Sequence, residues 1–129
     1  MFEFLIQHSS SVLLVAVLVL AAAACATHYK PHPGAINIAD SAAYDTLLVA
    51  EAAIDAARTR NQTHPLPAEA KDVLNRVIQY YNVVRDAWLT YRGALATNTP
   101  SDQYLQQLTR NLTDLTGALE SLKRREVKP

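Results

Sequence analysis

Six leucines, Leu105, Leu108, Leu112, Leu115, Leu119 and Leu122, recur at alternating steps of three and four residues. On a strand, where side chains alternate with period two, this spacing would scatter them over both faces; on a helix it lines them up as one stripe. The spacing therefore predicts an amphipathic helix, and a helix with so apolar a stripe needs partners to cover it.

Upstream, Leu74, Val77, Tyr81, Val84, Trp88, Tyr91 and Leu95 repeat the same steps, with Val73, Tyr80, Ala87 and Ala94 widening the stripe on one flank. That width suits a helix touching two neighbours, since a pairwise coiled coil needs only a narrow seam. A third stripe, Ala43, Leu47, Ala50, Ile54 and Ala57, is rich in small residues, which permit close backbone approach but bury less apolar surface than leucine. Asp40 or Ser41 can cap this first helix, Pro67 suits the first turn of the second, and Thr99 with Pro100 suits the start of the third. The expected helices span about 41–61, 67–96 and 100–125 within a domain over 40–129. Short connections make successive helices antiparallel neighbours. The fold class predicted is all-α, an antiparallel up-down-up three-helix bundle with coiled-coil-like packing, preceded by an N-terminal hydrophobic signal or anchor helix. A charge on the leucine stripe, as in Leu112→Asp, is expected to unfold it.

The first fifth of the chain has a different character. Residues 12–24 are apolar throughout and end in Ala22, Ala23 and Ala24, followed by Cys25, the chain's one cysteine. This segment resembles a bacterial lipoprotein signal peptide, in which cleavage before a cysteine is followed by lipid attachment to its sulfur. Ala22 stands where such signals usually carry Leu, and residues 1–11 hold no Lys or Arg. The resemblance implies a signal peptide over 1–24, export, and a lipid of the palmitate class on Cys25. It also implies localisation in the cell envelope, on the periplasmic or outer-surface side of a membrane.

Three other readings fit the same residues. Residues 12–26 as a retained anchor give roughly 22 Å of helix, short of the roughly 30 Å hydrocarbon core. An ordinary signal peptidase would accept the small residues before Cys25, and an apolar run of this size also suits a buried core helix. Residues 25–39 contain Pro31, Pro33 and Gly34 without periodicity, and read as a lipid-anchored linker holding the bundle off the bilayer.

Composition removes several function classes. Twelve Lys and Arg balance twelve Asp and Glu, so no basic face recruits nucleic acid. The basic cluster Lys123, Arg124 and Arg125 complements the negative end of its own helix. Gly34, Gly93 and Gly117 are too far apart for a phosphate loop, and neither long stripe carries a charge, as an inward-facing di-metal site would require. Cys25, His28 and His32 have a spacing able to ligate a metal, with His64 as a distant fourth, but a lipid on Cys25 would remove the thiolate. Glu51 with Asp55 and Glu69 with Asp72 fit a solvated face better than acid-base work.

The expectation is a non-enzyme without cofactor: a small exported, membrane-anchored helical protein acting as a structural or protein-interaction module. Its partners would be the membrane, through the lipid on Cys25, and an unidentified protein. Tyr80, Tyr81, Trp88 and Tyr91 are the candidate interaction surface, with packing in the core as the plainer role for those on the stripe. The alternatives are a bundle binding a small apolar ligand or metal, and a coiled-coil homo-oligomer through the leucine stripe.

Overall fold

The computed structural model of the chain describes residues 30–127, which form three helices packed against one another, with no strand among the described residues. α1 spans Ile38–Thr63, α2 Ala68–Ala96 and α3 Asp102–Val127. The N-terminal signal or anchor helix expected over 1–24, and Cys25 with it, lie outside the described residues.

α1 begins before the residues expected to cap it. Asn37, with extended backbone at φ −156° and ψ −178°, is the N-cap, and its side-chain oxygen accepts the Asp40 N–H at 2.8 Å. Asp40 and Ser41 are good cap formers by type, yet both lie inside the helix and are buried. Asp40 Oδ2 instead accepts the Ile36 N–H at 2.8 Å. This resembles a capping box whose acidic side chain reaches one residue further out than usual.

The two turns are specified locally. Between α1 and α2, Asn61 Oδ1 accepts the Leu66 N–H at 2.9 Å, and Leu66 is buried in the core. Pro67 is the residue just before α2, rather than its first helical residue; its carbonyl accepts the Lys71 N–H at 3.0 Å. At the end of α2, Thr99 N–H donates to the Ala94 carbonyl at 2.9 Å and Asn98 N–H to that of Leu95 at 3.4 Å. These two bonds, with Asn98 at φ +53°, form a Schellman motif in which asparagine takes the left-handed position usually held by glycine. Thr99 is therefore engaged in closing α2. The carbonyl of Ser101 opens α3, accepting the Leu105 N–H at 2.9 Å.

All five expected α1 positions, Ala43, Leu47, Ala50, Ile54 and Ala57, are buried in one core with Leu74, Val77, Val84 and Tyr91 of α2. The α3 stripe divides. Leu108, Leu115 and Leu122 are fully buried, whereas Leu105, Leu112 and Leu119 are half-buried and pack against the core's edge. α2 meets α3 along the broadest interface and α1 meets α3 along the narrowest, and half-buried Leu119 lines the groove between α1 and α3. Charged contacts fix which ends meet: Asp40 at the start of α1 lies beside Trp88 near the end of α2, and Glu69 at the start of α2 pairs with Arg125 at the end of α3.

Candidate functional site

Of the described residues ahead of α1, 32–37 are bonded to the bundle. His32 to Ala35 form a turn closed by the Ala35 N–H to the His32 carbonyl at 3.0 Å, with Pro33 and Gly34 in its two central positions. Gly34 sits at φ +86°, as the third residue of a type II turn requires, and proline is favoured before it. The His32 N–H donates to Ser41 Oγ at 2.6 Å, and its imidazole stacks on Tyr44 with ring centres 4.4 Å apart and planes 15° from parallel. Tyr44 leans on Trp88 at 5.8 Å. Residues 32–37 thus form a strap across the first turns of α1 and the last turns of α2.

Asp40 is the point to which the strap and both helices are tied. Its side chain is 2% exposed, and burying a carboxylate is costly unless its oxygens find donors. Oδ1 accepts the Trp88 indole N–H at 2.6 Å and faces Arg92 Nε at 3.5 Å, while Oδ2 takes the Ile36 backbone N–H described above. The Arg92 guanidinium also lies over the Trp88 ring, 5.2 Å from its centre, where a cation is attracted to the aromatic face. Asn37 completes the network by donating from Nδ2 to the Tyr91 hydroxyl at 2.9 Å. Among the described residues no buried side-chain polar atom lacks a partner.

A cavity of about 240 Å³ lies between strap and helices, walled by His32, Pro33, Tyr44, Trp88 and Arg92, with Asp40 at its floor. The Asp40 oxygens at that floor are already bonded within the chain, so they fix the strap's backbone against the helices. A second opening, a groove of about 500 Å³ between α1 and α3, is apolar at Val49, Ala53, Leu119 and Leu122 and edged by Asp45, Glu120 and Lys123.

The four aromatic residues expected as an interaction surface have different surroundings. Tyr91 is buried with its hydroxyl on Asn37, and Trp88 is half-buried against Asp40, so both serve the node. Tyr80 and Tyr81 are half-buried at the core's edge, Tyr81 beside a cavity of about 280 Å³ that also meets Glu51, Asp55 and Arg58. Of the metal-spaced residues, Cys25 and His28 lie outside the described residues, His32 is stacked on Tyr44, and His64 sits in the turn after α1. Among the described residues no three His, Cys, Asp or Glu side chains gather as a metal cluster would.

Asn37, Asp40, Ser41, Tyr44 and Arg92 were not legible as a site. Their trace is positional: 37, 40, 41 and 44 share one face of α1's first turns, as do 88, 91 and 92 at the end of α2. Among the described residues no helix is long and apolar enough to cross a membrane. The chain matches no known protein family, and no curated protein or solved structure is similar to it.

Proposed function

We propose that this chain is a small exported protein fixed to a membrane through a lipid on Cys25, and that its bundle serves as a structural or protein-interaction module of the cell envelope. The observation that carries this reading is the apolar run over 12–24 ending in three alanines and the chain's one cysteine. The strap supports it: a chain leaving a lipid anchor transmits force and orientation to the bundle only if its first residues are tied down, and Asp40 ties them. The helices are read as an antiparallel up-down-up bundle with coiled-coil-like packing, supported by the Asp40 with Trp88 and Glu69 with Arg125 contacts. Labelling cells with a fatty-acid analogue tests the anchor. Wild type takes up label and Cys25→Ala does not; label that survives the substitution, or never enters wild type, removes the reading.

The groove between α1 and α3 favours a second reading, a bundle that binds a small apolar ligand, since its volume and apolar lining are those of ligand clefts. Mass spectrometry of the purified protein under native conditions separates the two: a stoichiometric apolar passenger supports binding, and its consistent absence removes it. Pairing between chains through the leucine stripe would compete with folding, because Leu108, Leu115 and Leu122 are already buried within one chain.

A further inference from the structure

We infer that the strap end of the bundle rests on the bilayer carrying the anchor, with Ile36 and Ile38 entering the headgroup layer; this rests on the lipid-anchor reading of Cys25. Ile36 is 49% and Ile38 65% exposed, on either side of the α1 N-cap. Neither side chain belongs to the core or to the residues packed against it. An apolar residue just before an N-cap commonly packs on the fourth helical residue, but that residue is Ser41, which is buried and bonded to His32. Ile38, the first residue of α1, faces away from the core that Ala43 and Leu47 enter.

Their backbone is nevertheless held firmly. The Ile36 N–H is bonded to buried Asp40, and the Asn37 carbonyl accepts the Ser41 N–H at 3.1 Å. The strap is tied from His32 onward, and Cys25 precedes His32 by seven positions in the sequence, a separation that chain length limits to about 25 Å. Lys30, within those positions, is exposed, and a cation there suits anionic headgroups. Leu48, Val49, Val83 and Leu89 are exposed to a similar degree, but Ile36 and Ile38 lie nearest in sequence to Cys25 and flank a bonded helix start, which makes the membrane the occupant of this small apolar patch. α1, 26 residues long, is about 39 Å from end to end, so the turn at His64 would stand clear of the surface.

The test uses the full chain, purified with its lipid and placed in vesicles of phosphatidylethanolamine and phosphatidylglycerol. Nitroxides are attached at Ile38→Cys or His64→Cys, and their accessibility to oxygen and to a water-soluble nickel complex is compared. The expected result is a label at 38 shielded from nickel and open to oxygen, with the label at 64 showing the reverse. In a second arm, resonance energy transfer from a dye at His64→Cys to headgroup acceptors is compared with and without Ile36→Ser and Ile38→Ser. Transfer should rise in the serine variant as the bundle tips. Protein that carries lipid and floats with the vesicles, yet shows both nitroxides equally in water, or transfer unchanged by the serines, overturns the inference alone. A chain whose intact mass lacks acyl groups and that fails to float overturns the anchor reading, and the inference with it.

Discussion

The seam between α2 and α3 and the node at the start of α1 hold the same bundle together by different physics. The seam is apolar: Leu108, Leu115 and Leu122 are fully buried, and burial of this kind is non-directional and scales with area. The node is polar and directional: Asp40 accepts hydrogen bonds from an indole and a backbone amide and pairs in charge with a guanidinium. A seam tolerates exchange among residues of similar volume, whereas a buried carboxylate tolerates only its own partners. The seam supplies most of the driving force for folding; the node determines which path the chain takes into α1.

The largest predicted effect distinguishes two leucines that look equivalent along the stripe. Leu115 is 0% exposed, and Leu115→Asp would leave a carboxylate among apolar side chains with no donor. Its cost exceeds roughly 4 kcal/mol, comparable with the whole stability of a domain this size, about 5–15 kcal/mol. Loss of the cooperative thermal transition by circular dichroism is expected. Leu112 is half-buried, so the carboxylate of Leu112→Asp can reach water, and the cost falls to about 1–2 kcal/mol with the fold retained. The stripe alone predicts unfolding by both. Equal melting of the two variants would erase the division of α3 into a covered and a less covered flank.

Next comes the node. Asp40→Ala removes the acceptor of two hydrogen bonds, from the Trp88 indole and the Ile36 amide, and the charge facing Arg92, a loss of about 3 kcal/mol. At about 4–8 °C per kcal/mol for a domain of roughly this length, Tm should fall by about 12–24 °C. Because Trp88 is the chain's one tryptophan, its emission reports the node directly, and cleavage within the strap should speed up. Asp40→Asn keeps an acceptor for the indole while losing the charge facing Arg92, and should fall between. A Tm within a few degrees of wild type, with unchanged Trp88 emission, would show that the node is incidental.

That contrast also explains what was legible in the sequence. Three helices, their apolar stripes and all five α1 core positions follow from periodicity, because non-directional packing demands one face at every turn and so leaves a repeat. The node leaves none. Asp40 was readable as a cap by residue type, but it became a buried bonding centre through Trp88 and Arg92, 48 and 52 positions away by residue number. Pro33 and Gly34 read as tether residues by composition, while their order, proline then glycine, suits the type II turn that folds the strap back. The half-burial of Leu105, Leu112 and Leu119 is set by how the neighbouring helices pack and not by the spacing within α3.

The smallest effects test whether direction matters more than charge. Tyr91→Phe deletes only the hydroxyl that accepts from Asn37, leaving the ring in the core; Asn37 is half-buried and regains part of its bonding from water. A loss of about 1 kcal/mol is expected. Arg125→Ala breaks a formal ion pair with Glu69, but those side chains are 45% and 80% exposed, so water already screens the attraction. Its contribution is about 0.2–1 kcal/mol, and it should fade further in 1 M salt, where screening acts over only about 3 Å. The neutral bond at the buried end should therefore outweigh the charged one at the exposed end, by a margin that added salt increases. Urea denaturation of the two variants at low and high salt measures this directly. Should Arg125→Ala prove the costlier at both salt concentrations, the end where α2 meets α3 would be held by its ion pair as well as its seam, and the contrast with the α1 node would narrow to the apolar core alone.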